Sequence, residues 1–471
     1  TRPRRRSRIT PPDRHPLAEE AGLHTPCGTS NERSQTTTRG KSRLVLLLVL
    51  GALLLGACSG DSTDTASSPA TAEAPSPTEA PSNTAPADPG DASCITPASA
   101  AFERPFDVDP EDYPFRSCAF ETNAGRIHYF DEGPRDADET ILMVHGNPTW
   151  SFLYRNIAAA MIEDGHRVVA LDHLGMGMSD VPPTAEFDYR PRSHADNLED
   201  LVVALDLQNV TLVVQDWGGP IGLGMATRQP ERMSHLLIMN TWAWSIDPDD
   251  PGAYHELVDW TEQDIRFLGS TPTAFCDLAL TGQSELTAAE ADPSRGALYE
   301  RVLAAYLAPA IDPVTGDYRT SEPCAPMLIF AESIGEDDAF QGEVEARMEN
   351  LHGTPYSLLF GLSDQLFGAL RCDADADQPC PAGTTCTCQD DLLPARIDRD
   401  CDNRAAAEFR ICALPDGSII DPYADRFEDI LGSESLVSRE VVRNADHMVQ
   451  EWAPERVIQA LRGLLAHQEA E

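Results

Sequence analysis

Lysine is almost missing from this chain: Lys41 is the one lysine among 471 residues, and lysine and arginine together number 35 against 77 aspartates and glutamates. A surface so poor in cations excludes a nucleic-acid binder, because tracking phosphates needs a surplus of positive charge. Residues 1–58 hold ten of the basic residues and four of the acidic ones, which leaves 25 against 73 beyond them, a formal charge of −48. Long apolar runs are missing as well. Leu44 to Ala57 is the clearest, and it falls short of the roughly 20 residues that span a bilayer. Metal-type cysteine spacing is also lacking, since one residue separates Cys386 from Cys388 where zinc sites use about two to four. Asp373, Asp375 and Asp377 alternate as in a calcium loop, but the glycine and the terminal glutamate of an EF-hand loop are missing, so a solvated acidic loop is expected.

What is present begins with an address. Lys41 and Arg43 precede the apolar run, which closes on Leu55, Gly56, Ala57 and Cys58. This end resembles the lipobox of bacterial lipoproteins, which implies cleavage before Cys58, a lipid on that cysteine and export to a bacterial membrane. An ordinary secretory signal or an apolar anchor helix would also put the downstream chain outside the cytoplasm. Residues 1–57 are therefore set apart as an upstream segment and signal peptide, with the polar, arginine-rich residues 1–39 left out of fold reasoning. Residues 58–92 read as a lipidated cysteine and a disordered linker, because a stretch of Pro, Ala, Ser, Thr and Asp buries too little apolar surface to offset its ordering entropy. Besides Cys27 and Cys58, ten cysteines remain, an even number that predicts disulfides in an oxidising compartment. Their pairing is open at this point.

From about residue 118, short apolar runs alternate with stretches of helical spacing, the pattern of an α/β fold with a mostly parallel central sheet. Strands are predicted at Arg126–Phe130, Thr140–His145, Arg167–Asp172, Val210–Gln215, His235–Asn240, Tyr356–Gly361 and Ser438–Arg443, and helices over Trp150–Asp164 and Ser193–Leu205. After Asn240 roughly a hundred residues pass before the next clear strand, too many for a plain crossover. We read 93–240 as the first part of the core and 241–351 as an inserted helical cap, with pieces around Tyr254–Leu268 and Ser294–Leu307. Residues 352–370 read as a core strand and its loop, 371–434 as an acidic, cysteine-rich insertion, and 435–471 as the last strand and helix.

The chemistry concentrates where Val213, Val214, Gln215 and Asp216 lead into Trp217, Gly218, Gly219 and Pro220. A strand passing into a helix through a sharp turn lifts the turn residue above the sheet, as in a nucleophile elbow. Val214 stands where serine hydrolases commonly have glycine. The lifted residue is a carboxylate, which needs no base to remove its proton and can attack a tetrahedral carbon to form an alkyl ester. An aspartate at a strand end is otherwise most often a helix cap. His145, Gly146, Asn147 and Pro148 end another strand, so right-handed crossovers bring them to the same sheet edge. His447, just past the last strand, is the candidate general base, and Asp364, after the penultimate strand, is the candidate acid; Asp446 is its weaker rival. The order Asp216, Asp364, His447 is the nucleophile, acid, base order of this fold.

His145-Gly-Asn-Pro-Thr and Gln215-Asp-Trp-Gly-Gly resemble the haloalkane dehalogenases of the α/β-hydrolase superfamily, over roughly residues 115–370 and 436–465. The resemblance implies that the indole N–H of Trp217 and the amide of Asn147 hold the departing halide, as neutral donors suited to a charge that grows on bond breaking. It also implies hydrolysis of carbon–halogen bonds through an Asp216 alkyl ester, with water activated by His447 and Asp364 orienting the imidazole. A small haloalkane and water are then the partners, and neither a metal nor an organic cofactor is required. The family's other location for the acid reads Asn240, Thr241, Trp242 here, which favours Asp364. Two alternatives stay open: an epoxide hydrolase with the same nucleophile, for which Tyr254, Tyr299 and Tyr306 could protonate the ring, and a non-catalytic surface binding lipoprotein.

Overall fold

The computed structural model describes residues 94, 102, 104–245, 296–311, 325–336, 338–362, 364, 380, 383–388, 410–443 and 445–467. The signal-like run, Cys58, the linker, Tyr254, the acidic 373–377 stretch and Cys276, Cys324, Cys372 and Cys401 lie outside them, as does the side chain of Tyr299. Among the described residues, no helix is long and apolar enough to cross a membrane.

The strands, in chain order, are β1 (Cys118–Glu121), β2 (Arg126–Glu132), β3 (Thr140–Val144), β4 (Arg167–Leu171), β5 (Val210–Gln215), β6 (Met233–Met239), β7 (Tyr356–Gly361), β8 (Thr385–Cys388), β9 (Arg410–Ala413) and β10 (Leu436–Val442). Eight of them form one sheet in the order β1-β2-β4-β3-β5-β6-β7-β10, parallel from β4 to β10, with β1 and β2 antiparallel at one edge. The strands are apolar at successive positions because both faces are covered. Leu142, Val144, Leu212, Val214, Leu236 and Ile238 enter one core cluster, while their neighbours Ile141, Met143, Val213, Leu237 and Met239 enter the other. This is the period of two that strand pleating imposes.

The longer helices among the described residues are α1 (Arg155–Glu163), α2 (Pro191–Ala204), α3 (Gly218–Ala226), α4 (Gly296–Leu307), α5 (Ala325–Glu336), α6 (Asp338–Arg347), α7 (Pro422–Leu431) and α8 (Pro454–His467). The first two cover the predicted spans with one change. Residues Ser151–Tyr154 form a separate 3-10 turn ahead of α1, and the Ser151 N–H is taken by Asp172 Oδ1 at 2.8 Å. Helices α4, α5 and α6 fall in the long interval after β6. Phe330 of α5 and Tyr306 of α4 pack into the two core clusters, so these two helices are docked onto the rest of the core.

The 371–434 stretch is less uniform than its composition suggests. Strands β8 and β9 pair as a small antiparallel sheet, and α7 places Tyr423, Ala424, Phe427 and Leu431 in the main core cluster. Those residues recur at helical spacing, so this part of the stretch is core. The disulfides Cys94–Cys118 and Cys380–Cys412 are formed, the first tying residue 94 to β1 and the second tying residue 380 to β9.

Candidate active site

Asp216 follows β5 directly and has φ +51°, the left-handed region that a non-glycine residue occupies only when its surroundings hold it there. Three contacts do so. Its N–H donates to Asn240 O at 3.0 Å, its carbonyl accepts from the Gly219 N–H at 2.9 Å, and the Thr241 hydroxyl donates to the same carbonyl. Space is made by glycine. A Cβ on Gly146 would lie 2.3 Å from Asp216 Oδ1, so the turn after β3 can approach the carboxylate only without a side chain there. Val214, the departure from the usual elbow, is accommodated from the helix side: a Cβ on Gly222 would meet Val214 Cγ1 at 2.7 Å.

The carboxylate is nearly buried, at 6% exposure. Its Oδ1 accepts the backbone N–H of Asn147 at 2.6 Å, and its Oδ2 faces His447 Nε2 at 3.4 Å. His447 Nδ1 meets Asp364 Oδ2 at 2.9 Å, so the three residues form a continuous chain of contacts although β10 and β7 deliver two of them. Burial disfavours the charged imidazole, but the Asp364 and Asp216 carboxylates outweigh it and hold His447 well above its ordinary value. Asp446, the rival acid, turns its Oδ1 to the backbone N–H of His447 at 2.8 Å.

Asn147 and Trp217 flank the carboxylate. The Trp217 ring packs edge-on against Trp242 at 4.7 Å and against Phe330 of α5 at 5.6 Å. The Asn147 amide donates one hydrogen to Met327 O of α5 at 3.2 Å; an amide nitrogen has a second hydrogen to offer. Of the tyrosines considered for ring protonation, Tyr306 is committed elsewhere. Its hydroxyl donates to Glu451 Oε1 at 2.6 Å, and Glu451 is also gripped by both Arg155 nitrogens.

Around the site lie buried groups to which the sequence reading gives no chemical role. His145, His173 and His194 form a row, the first pair of rings tilted and the second edge-on, with centroids 4.4 and 5.0 Å apart. Burial pushes all three down, His194 to about 3, which disfavours a positive charge on any of them. Asn240, with φ +37°, donates through Nδ2 to Asp364 Oδ2 at 2.5 Å and accepts the Gly361 N–H at 3.0 Å. Gln215 offers Nε2 to His447 Nε2 at 3.0 Å and to His447 O at 3.1 Å. An amide ending an apolar strand such as Val210–Gln215 was the available signal, because a buried polar group needs a partner.

Comparison with known proteins supplies independent findings. Residues 139–275 match the family described as alpha/beta hydrolase fold. A haloalkane dehalogenase 2 of Mycobacterium tuberculosis is 44% identical over 142 residues, which cover 30% of this chain and 48% of that protein. A cis-3-alkyl-4-alkyloxetan-2-one decarboxylase of Shewanella oneidensis is 43% identical over 139 residues, covering 29% of this chain and 42% of that protein. The chain thus spans about half the length of the curated relatives it matches. Among solved structures, a haloalkane dehalogenase of Paraglaciecola agarilytica superimposes with a TM-score of 0.51 at 21% identity, covering 76% of this chain and 97% of that one. The chain has the α/β-hydrolase fold.

Proposed function

We propose that this α/β hydrolase removes halide from haloalkanes by way of an ester on Asp216. The observation that carries the reading is the contact chain from Asp216 through His447 to Asp364, at 3.4 and 2.9 Å, with a carboxylate where acyl-transfer enzymes have a hydroxyl. In the first half-reaction Asp216 attacks the carbon bearing the halogen from behind. The new C–O bond forms as the carbon–halogen bond breaks, and the halide departs toward the Trp217 indole and Asn147 amide. In the second, water adds to the ester carbonyl carbon and gives its proton to His447 Nε2. The Asn147 backbone N–H, already on Asp216 Oδ1, stabilises the oxyanion. Collapse releases the alcohol, which takes the proton back from the imidazolium, and leaves Asp216 as a carboxylic acid; loss of its remaining proton to solvent restores the carboxylate.

Esterification itself prepares the base. While Asp216 is ionised, two carboxylates favour the imidazolium; once it is an ester, Asp364 alone remains and His447 becomes easier to deprotonate.

A second reading is favoured by the similarity to the oxetanone decarboxylase. A four-membered lactone also offers a tetrahedral carbon bearing an oxygen leaving group, open to the same nucleophile. The epoxide alternative is weakened by the engagement of Tyr306 with Glu451. For location, we propose export and lipid attachment at Cys58, a reading supported by the Leu44–Ala57 run and compatible with the two disulfides. Mass spectrometry of the membrane fraction tests it, with Cys58→Ala abolishing the lipid.

The activity test incubates the protein with short bromoalkanes, epoxides and a dialkyl β-lactone, following halide, diol and carbon dioxide. Halide release that disappears in Asp216→Asn is the expected result. Diol or carbon dioxide without halide overturns the dehalogenase reading, and no turnover of any of the three favours a binding protein.

A further inference from the structure

The amide of Gln215 has an orientation that can be argued rather than assumed. Its Nε2 position lies 3.1 Å from the backbone carbonyl oxygen of His447. A carbonyl oxygen only accepts, so the atom facing it must be the amide nitrogen; a flipped side chain would set oxygen against oxygen. That same nitrogen is 3.0 Å from His447 Nε2. A donor there is satisfied only by a lone pair, so this contact is a hydrogen bond in the form of the ring whose Nε2 carries no proton and whose hydrogen is on Nδ1, directed at Asp364 Oδ2 2.9 Å away. Gln215 is buried at 1% exposure, where a donor facing a donor is not relieved by water.

From this geometry we infer that Gln215 is a positioning residue that selects the base-competent tautomer of His447, opposing the carboxylates that would keep the ring protonated. The inference rests on the reading of Asp216 as nucleophile and His447 as base. Among the described residues, the titratable groups facing His447 are Asp216 beyond β5, Asp364 beyond β7 and Asp446 on its own loop. All are carboxylates; Asp364 and Asp216 stabilise the imidazolium, while Asp446 is turned to the backbone N–H of His447. Gln215 is the neutral counterweight. It matters most in the second half-reaction, when Asp216 is a neutral ester and the only remaining task of the imidazole is to accept a proton from water. As water approaches Nε2, the amide keeps its bond to His447 O and yields the lone pair.

The consequence is a split between the two half-reactions. Alkylation needs an ionised Asp216 and no proton transfer, so the first-turnover release of halide is retained when Gln215 is altered. Ester hydrolysis needs neutral His447 and slows.

The test has two arms, one of which needs no turnover. In Asp216→Asn, whose neutral amide stands in for the ester, histidine nitrogen resonances give the His447 midpoint, assigned by its loss in His447→Gln. Adding Gln215→Leu raises that midpoint by about half a pH unit to one unit, the size of one net hydrogen bond. Gln215→Glu keeps the shape but places an acceptor on Nε2, and raises it by more than about one unit. In the kinetic arm, with Asp216 intact and a bromoalkane, Gln215→Leu shifts the acidic limb of alcohol formation upward by the same amount. Below that limb the loss is about three- to tenfold, with the halide burst kept.

A His447 midpoint unmoved in either variant overturns the inference. So does a uniform loss of rate with the pH profile in place, which is what a merely structural residue would give. The two readings fail separately: a midpoint that shifts in a protein releasing no halide leaves Gln215 as proposed and removes the dehalogenase reading, whereas halide turnover with an unshifted limb does the reverse. Should Gln215→Leu not fold, the isosteric Gln215→Glu carries both arms.

Discussion

Replacing Asn240 by alanine should damage the protein more than any surface change, and the size of the effect can be worked from three identifiable losses. The Nδ2 donor lies 2.5 Å from Asp364 Oδ2, and a hydrogen bond to a charged acceptor contributes about 1.5–3 kcal/mol. The Oδ1 acceptor takes the Gly361 N–H at 3.0 Å, and leaving that buried donor unpaired costs about 1–3 kcal/mol. The backbone is at φ +37°, where asparagine is tolerated and alanine is not, for about another 1 kcal/mol. Relaxation and water entry recover part of this, so Asn240→Ala should lower stability by about 3–5 kcal/mol. Denaturant unfolding followed by tryptophan fluorescence measures it, since Trp217 and Trp242 are buried beside the affected turn. The enzyme that remains folded should hydrolyse its alkyl ester at least about tenfold more slowly, because Asp364 loses the contact that fixes its side chain for His447. A stability loss under about 1 kcal/mol with unchanged ester hydrolysis would refute the reasoning, and with it the idea that the amide holds Asp364 in place.

Three further outcomes are expected. In His447→Gln, halide should appear as a single stoichiometric burst, and intact-protein mass should rise by the alkyl group added to Asp216; multiple turnovers at the wild-type rate would show that another base serves. Gly146→Ala should abolish halide release while leaving much of the fold, because its Cβ would stand 2.3 Å from Asp216 Oδ1; activity above about a tenth of wild type would contradict the close approach. Asp421 caps α7, its Oδ1 accepting the Tyr423 and Ala424 N–H groups at 3.1 and 3.0 Å, and burial pushes its carboxyl up from 3.8 to about 7. A raised carboxyl contributes stability that is complete below the unfolded value and is lost as pH rises through the folded one. Stability should therefore fall between about pH 4 and pH 7. Asp421→Asn keeps the cap and should remove that slope, gaining at pH 8 up to about 4 kcal/mol; an unchanged slope on urea titration would count against it.

The central strands were legible because burial on both faces writes itself as uninterrupted apolar residues, and Val210–Gln215 and Tyr356–Gly361 have the bounds read from sequence. Strand β1 was not, since four residues at an antiparallel edge show no usable period. The helix α7 hid inside an acidic stretch: its buried positions Tyr423, Phe427 and Leu431 are separated by charged residues that dilute the composition without disturbing the spacing. Asp216, Asp364 and His447 were proposed from the elbow pattern, their places after particular strands, chain order and the family resemblance, but their distances could not be, because contacts between residues 83 apart depend on how β10 registers against β7. Gln215 and Asn240 were in plain view as letters. Their significance depends on which way an amide faces, and only neighbouring donors and acceptors decide that.

The strand order has a consequence for how the protein comes into being. β7 has β6 on one side, but its other neighbour, β10, comes only after the whole 371–434 stretch, and such long closures are slow to form. Until that pairing is made, Asp216 can already be raised on its turn between β5 and α3 and Asp364 held by Asn240, with His447 not yet in position. On the proposed mechanism, a chain halted before β10 would own a nucleophile without a means of release, and would be inactivated by the first alkyl group it accepted. The last strand therefore separates a reagent, which reacts once, from a catalyst.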